Sequence, residues 1–163
     1  RTINRSVIEH LNLIHDSEVQ FIWQTGKYYY QKISDSMKGK ELPNLKVMDF
    51  ISDMGAAYKA ADLIISRAGA SSISEFQIIG KPVILIPSPN VAEDHQTKNA
   101  MALVNKQAAI YVKDAEAPDT LLPLALKVIA DDSKLKSLSE NVKKMGLKNS
   151  ADIIADEVLK LIK

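Results

Sequence analysis

The chain contains no cysteine. That single absence removes disulfides, thiolate zinc sites and cysteine nucleophiles, and it suits a reducing compartment. No apolar run approaches the ~20 residues that a membrane helix needs, and the N-terminal stretch has no signal-peptide-like apolar core. Charge of one sign is also lacking. Lys and Arg number 21 against 20 Asp and Glu, which argues against a dominant nucleic-acid surface or an acidic tail, though a local basic patch stays possible. The three histidines, His10, His15 and His95, are scattered without metal-ligand spacing. There is no D-x-D motif, no G-x-G-x-x-G fingerprint, no Walker loop and no G-x-S-x-G elbow. Glu93 and Asp94 are adjacent, so on a helix they would point apart. No internal repeat, low-complexity tract or linker divides the chain.

What is present is a core. Of 163 residues, 46% are hydrophobic, enough for one globular domain spanning 1–163. Ile3, Val7, Leu11 and Ile14 form one apolar face and predict a helix over 1–15. Strands are predicted at 19–25, 45–50, 62–67, 82–87 and 108–112. Helices are predicted at 27–37, 53–61, 72–80, about 94–106, from Pro118 onward, at 133–146 and at 149–163. Gly80 would close the 72–80 helix, and Asn149 or Ser150 would cap the last one. Within the 27–37 helix, Tyr28, Tyr29 and Tyr30 spread around the circumference, which favours mixed packing over a stacking platform. Short strands alternating with helices, two of them apolar at consecutive positions, predict an α/β, Rossmann-like parallel sheet with helices on both faces.

Ligands of such folds bind outside the carboxyl ends of the strands. The stretch SRAGASSISE (66–75) sits at one such end. Gly69 between Ala68 and Ala70 lets a ligand approach the backbone, and the amides opening the next helix suit a phosphate or a sugar hydroxyl. Ser72-Ile-Ser-Glu75 also matches a capping box, in which serine and glutamate satisfy orphan amides of the first turn. Both readings stand at this level. The next strand end leads into EDHQTKNA, where His95, Gln96, Lys98 and Asn99 crowd a helix start. A solvated terminus, with Glu93 and Asp94 complementing the dipole, is the alternative there. Two polar constellations on successive strand ends would line one crevice.

FISDM (50–54), AADLIISRAGASSISEFQIIGKPVILIPSP and EDHQTKNAMAL, in this order and spacing, resemble the C-terminal domain of the MurG family of peptidoglycan glycosyltransferases. The resemblance covers essentially the whole chain. It implies one half of a GT-B fold, two Rossmann-like domains facing a cleft, with this half binding the UDP-sugar. The family moves N-acetylglucosamine from UDP-N-acetylglucosamine (UDP-GlcNAc) to undecaprenyl-pyrophosphoryl-MurNAc-pentapeptide, lipid I, by inverting displacement. Carried over by position, the resemblance places Phe50 and Ile51 at the uracil edge and Met54 against the base. Glu75 would accept both ribose hydroxyls. Gly69, Ala70, Ser71, Ser72 and Ser74 would lie near the diphosphate and sugar. Gln96 would contact the GlcNAc hydroxyls, with His95 beside it and Asn99 one turn on. Arg67 falls inside the motif, with phosphate contact and loop support both open.

The same resemblance implies no metal and no cofactor, UDP-GlcNAc being a substrate. It places the catalytic base, the lipid I acceptor site and the membrane contact in an N-terminal half that would precede Arg1, at the cytoplasmic face of the plasma membrane. A domain without that half is expected to be inactive alone and prone to self-association. Other readings are the subunit of a GT-B N-acetylglucosaminyltransferase acting on dolichol-diphosphate sugars, a UDP-GlcNAc 2-epimerase, and a non-catalytic nucleotide-sugar-binding module.

Overall fold

A computed structural model describes residues 1–90 and 94–162. The elements in order are α1 (Thr2–Glu9), α2 (Leu11–His15), β1 (Phe21–Gln24), α3 (Lys27–Met37), β2 (Leu45–Met48), α4 (Met54–Ala60) and β3 (Ile64–Ser66). They continue with α5 (Ala70–Ile79), β4 (Val83–Leu85), α6 (His95–Val104), β5 (Ile110–Tyr111), α7 (Ala117–Ile129), α8 (Asp132–Lys144) and α9 (Ser150–Lys160).

Every strand pairing is parallel. β1 pairs with β2 from Phe21↔Leu45 to Gln24↔Met48, β3 with β4 from Ile64↔Val83 to Ser66↔Leu85, and β4 with β5 through Ile84↔Ile110. The ladder is in two pieces, β1–β2 and β3–β4–β5, and no described strand joins them. A shared core holds the pieces together. Trp23 of β1 packs in one buried cluster with Ile84, Ile86 and Val112 from the other ladder, under Val7, Leu11, Ile14, Leu121 and Leu122.

β4 shows why both faces carry helices. Its residues are all fully buried, and they alternate. Ile84 and Ile86 enter the cluster beneath α1, α2, α3 and α7. Val83 and Leu85 enter the opposite one, with Ile73 and Phe76 of α5, Ala100 and Leu103 of α6 and Val142 of α8. A continuous apolar strand is what a sheet covered on both sides requires.

Two local predictions change. The helix expected over 1–15 has the expected buried face but breaks at His10, whose backbone (φ −121°, ψ 29°) leaves the helical region. The His10 ring donates through Nδ1 to the Ser6 carbonyl at 3.0 Å, and the His10 amide donates to Val7 O instead. The second change concerns the helix expected at 72–80. It begins at Ala70 with Gly69 as its N-cap, and it ends at Gly80 in the left-handed region (φ 67°) as predicted. Asn149 is the N-cap of α9, but its side chain makes no capping bond. Among the tyrosines, Tyr28 is exposed while Tyr29 packs on the core, the mixed role expected.

Candidate functional site

Parallel register aligns the strands within each ladder. The first turn of α1 draws the two sets of carboxyl ends together, Asn4 Nδ2 donating to the Thr25 carbonyl after β1 and Thr2 Oγ1 to Asp114 after β5. The loops there carry the expected residues. The centre is the Ala68 peptide. Ala68 is fully buried, and α6 grips it from both sides. Its amide donates to Gln96 Oε1 (3.3 Å) and its carbonyl accepts from Asn99 Nδ2 (3.2 Å). Gln96 Oε1 also receives the Ser88 amide (2.8 Å). Because both partners are N–H donors, the oxygen of this amide must face them, which leaves its NH₂ group as the remaining donor. Gln96 and Asn99 therefore fasten the loop after β3 to the loop after β4.

Arg67 has a similar task. Its guanidinium donates to the carbonyls of Ile86 (3.1 Å) and Pro87 (3.3 Å) and pairs with Asp114, which in turn accepts from Thr2 Oγ1 (2.9 Å). It ties the ends of β3, β4 and β5 together. Of the two roles left open for Arg67, loop support is the one its contacts describe. A cavity of about 640 Å³ lies beside this junction, bordered by Arg67, Ser88, Asn90, Gln96 and Asp114.

The start of α5 faces outward from the same junction. Its N-cap, Gly69, supplies no side-chain bond to the first turn. The capping box expected at Ser72 and Glu75 does not form, since both residues lie inside the helix. Ser74 Oγ bonds back to Ala70 O (3.1 Å), and Glu75 turns toward α4. The first-turn amides of α5 are thus open to an acceptor from outside. Gly69 has an ordinary φ of −68°, and a Cβ on it would meet nothing nearer than Ser72 Oγ at 4.0 Å. Nothing in the fold itself demands glycine there. Ala70 and Ser71 are exposed and Ser72 is half-buried.

Phe50, Ile51 and Met54 come from the loop after β2 and the first residue of α4. Asp53 caps α4 by accepting from the Ala56 amide (2.8 Å). Phe50 is exposed, with Lys27 Nζ 6.0 Å above its ring. The Ile51 amide donates to Gln24 Oε1 (2.8 Å), a partner the sequence did not suggest. This group is joined to α5 by the Tyr58 hydroxyl, which donates to Glu75 Oε2 (2.8 Å). His95 opens α6 and is exposed; Asp94, its N-cap, makes no side-chain capping bond. Glu93 lies outside the described residues.

The expected residues thus fall into two groups along one edge. Arg67, Gly69, Ala70, Gln96 and Asn99 surround the Ala68 peptide. Phe50, Ile51, Met54 and Glu75 line the adjoining surface of α4 and α5, outside the cavity. Among the described residues, no three His, Asp or Glu side chains converge as metal ligands. Gln24, Tyr58, Ser88 and Asp114 were not singled out from sequence. Only Tyr58 had a usable signal, sitting four residues after Met54 on one helix face.

Residues 1–154 match the Glycosyltransferase family 28 C-terminal domain. The chain is 64% identical, over 163 residues, to the UDP-N-acetylglucosamine–N-acetylmuramyl-(pentapeptide) pyrophosphoryl-undecaprenol N-acetylglucosamine transferase of Bacteroides fragilis, covering 99% of this chain and 43% of that protein. It is 62% identical to the protein of the same description from Bacteroides thetaiotaomicron, again over 99% of this chain and 44% of the relative. The crystal structure of Acinetobacter baumannii MurG superposes with a TM-score of 0.79 at 26% identity, over 98% of this chain and 46% of that one. The chain therefore spans less than half the length of these relatives.

Proposed function

Since this chain belongs to the C-terminal domain family of glycosyltransferase family 28, we propose that it is the donor-binding domain of an inverting N-acetylglucosaminyltransferase. The enzyme moves GlcNAc from UDP-GlcNAc to undecaprenyl-pyrophosphoryl-MurNAc-pentapeptide, lipid I, in peptidoglycan synthesis.

The observation that carries this reading is the uncapped start of α5 beside a glycine the fold does not require. In the transfer, the acceptor hydroxyl oxygen bonds to C1 of the sugar as the bond from C1 to the phosphate oxygen breaks. The hydroxyl proton goes to a base, which the reading places in the other half of the enzyme. UDP leaves with added negative charge. First-turn amides with no side-chain partner are already oriented to receive it and need no reorganisation during the step. Gln96 offers its free NH₂ to the sugar while its oxygen holds the loop. Glu75 presents a carboxylate to the ribose diol, two donors matched by one group with two oxygens. Phe50, Ile51 and Met54 take the base. Arg67 acts through the loops it fastens.

Acceptor binding and membrane contact belong to the other half, at the cytoplasmic face of the membrane. No helix among the described residues is long and apolar enough to cross a bilayer. The test is calorimetry of UDP and UDP-GlcNAc with this chain and with the full-length protein, together with a transfer assay. Weak binding by the chain and transfer only by the full-length protein are expected. Turnover by the chain alone would sink the donor-domain reading.

A further inference from the structure

α4 and α5 meet through one polar contact, and it falls on Glu75. The Tyr58 hydroxyl donates to Glu75 Oε2 at 2.8 Å across 17 residues of sequence. Tyr58 is well placed for a fixed role. Its ring meets Phe76 edge-on, centroids 5.8 Å apart at 81°, and Phe76 is buried in the core beneath α5. The ring also packs against the cluster that holds Ile73, Val83 and Leu85. The core thus sets the position of the hydroxyl, whereas Glu75 stands on an exposed face with no other hydrogen-bond or ion-pair partner described for its carboxylate.

We propose that Tyr58 is a positioning residue for nucleotide recognition: it holds the Glu75 carboxylate in the orientation that receives the 2′- and 3′-hydroxyls of the donor ribose. This rests on the donor-binding reading above and adds to it the residue that makes Glu75 selective. An unrestrained surface glutamate samples several rotamers, and fixing it on binding costs side-chain entropy. A hydroxyl anchored by a core-packed ring removes much of that cost beforehand. The bond occupies one lone pair of Oε2 and leaves Oε1 wholly free, so acceptor capacity for two ribose hydroxyls remains. Burial first, then the hydrogen bond to Glu75 and its charge, push the phenol up to about 12. It therefore remains a proton donor at any pH where binding is measured. Met54 and Tyr58 are four residues apart on α4, so they share a face. The helix that would pack on the base also sets the carboxylate for the sugar next to it.

The experiment measures the Kd of UDP and of 2′-deoxy-UDP for the full-length protein by calorimetry, in wild type, Tyr58→Phe, Glu75→Ala and the double variant. Phenylalanine keeps the ring and its contact with Phe76, so Tm should hold. Wild type should prefer UDP over 2′-deoxy-UDP by about 10-fold, and Tyr58→Phe should weaken UDP binding about 5-fold, the scale of one hydrogen bond. The same substitution should weaken 2′-deoxy-UDP less, about 2-fold, because only its 3′-hydroxyl still reaches Glu75, so that the preference narrows to about 4-fold. In the Glu75→Ala background, Tyr58→Phe should have no further effect on either ligand. An unchanged UDP preference in Tyr58→Phe, or an equal loss with and without Glu75, would overturn the proposal and leave Tyr58 a packing residue. A wild type with no preference for UDP would instead overturn the diol-binding role of Glu75 on which it rests.

Discussion

Gln96 receives the Ser88 backbone amide on its side-chain oxygen at 2.8 Å, and with the same oxygen it holds the Ala68 amide. One side chain therefore has two jobs at opposite ends. Gln96→Ala should lower stability by about 1–2 kcal/mol, because two backbone donors lose their acceptor. It should also weaken UDP-GlcNAc more than UDP. Gln96→Glu separates the jobs, since a carboxylate still accepts from both amides. Its Tm should match wild type, yet UDP-GlcNAc should lose its advantage over UDP. If Gln96→Glu retains that advantage, the NH₂ group is not the sugar contact.

Gly69 supplies the opposite dissociation. With φ at −68° and open space where a Cβ would stand, alanine fits without strain. Gly69→Ala should raise stability by about 0.4–1 kcal/mol by restricting the unfolded chain. The added methyl would project beside the α5 amides and should weaken UDP binding at least several-fold. Thermal melts and UDP titration on one preparation decide the matter. A stabilised variant with undiminished UDP affinity would place the diphosphate elsewhere.

Glu75 was ambiguous in the sequence, and the structure separates its readings by position. Inside α5 it caps nothing, so Glu75→Gln should change Tm little. Loss of hydrogen bonds to a charged acceptor should weaken UDP by about 1–3 kcal/mol. A variant that melts early and binds UDP normally would return Glu75 to a structural role.

The reasons for that ambiguity show what a sequence can and cannot carry. The continuous apolar run of β4 and Gly80 as the end of α5 are local matters, and both were legible. S-x-x-E is a local pattern too, but the helix start is set by a distant constraint. α6 pins the Ala68 peptide from 28 and 31 positions along the chain, so Gly69, not Ser72, becomes the N-cap. The break at His10 escaped notice because Ile3, Val7, Leu11 and Ile14 keep one face through it. The partners of Arg67 and Glu75 lie on other elements, and no periodicity encodes which residues pair across them. Resemblance named Gln96, Arg67 and Glu75 but not their partners, since Ser88, Asp114 and Tyr58 meet them through tertiary contact alone.

Gly146 tests the support behind α5. An added Cβ there would lie 2.6 Å from the Gln77 carbonyl oxygen and 3.0 Å from its carbon, backbone atoms that cannot rotate away. Gly146→Ala should therefore force α8 and α5 apart and cost about 1–3 kcal/mol, the usual range for overpacking. Chemical denaturation would measure it. A variant as stable as wild type would mean that this junction yields freely and that α5 is not braced from behind.

α9 has an apolar stripe that, among the described residues, neither core cluster covers. None of its residues is buried, Ile154 and Val158 stand 64% and 51% exposed, and neither core cluster includes any part of it. A helix of this length is marginal alone in water, so its stripe should find cover. In a protein as long as the relatives, the additional length is expected to supply it. In the isolated chain a second copy is the available cover, helped by the strand edges left unpaired in the two ladders among the described residues. We expect the chain to fold, to bind UDP weakly and to self-associate with concentration in sedimentation velocity. Deleting residues 149–163 should leave the fold intact and reduce association, while Ile154→Lys with Val158→Lys should do the same without shortening the chain. Association unchanged by both variants would move the contact from α9 to the strand edges. A chain that stays monomeric at high concentration, with UDP affinity equal to the full-length protein's, would show that the other half supplies neither cover nor donor contacts.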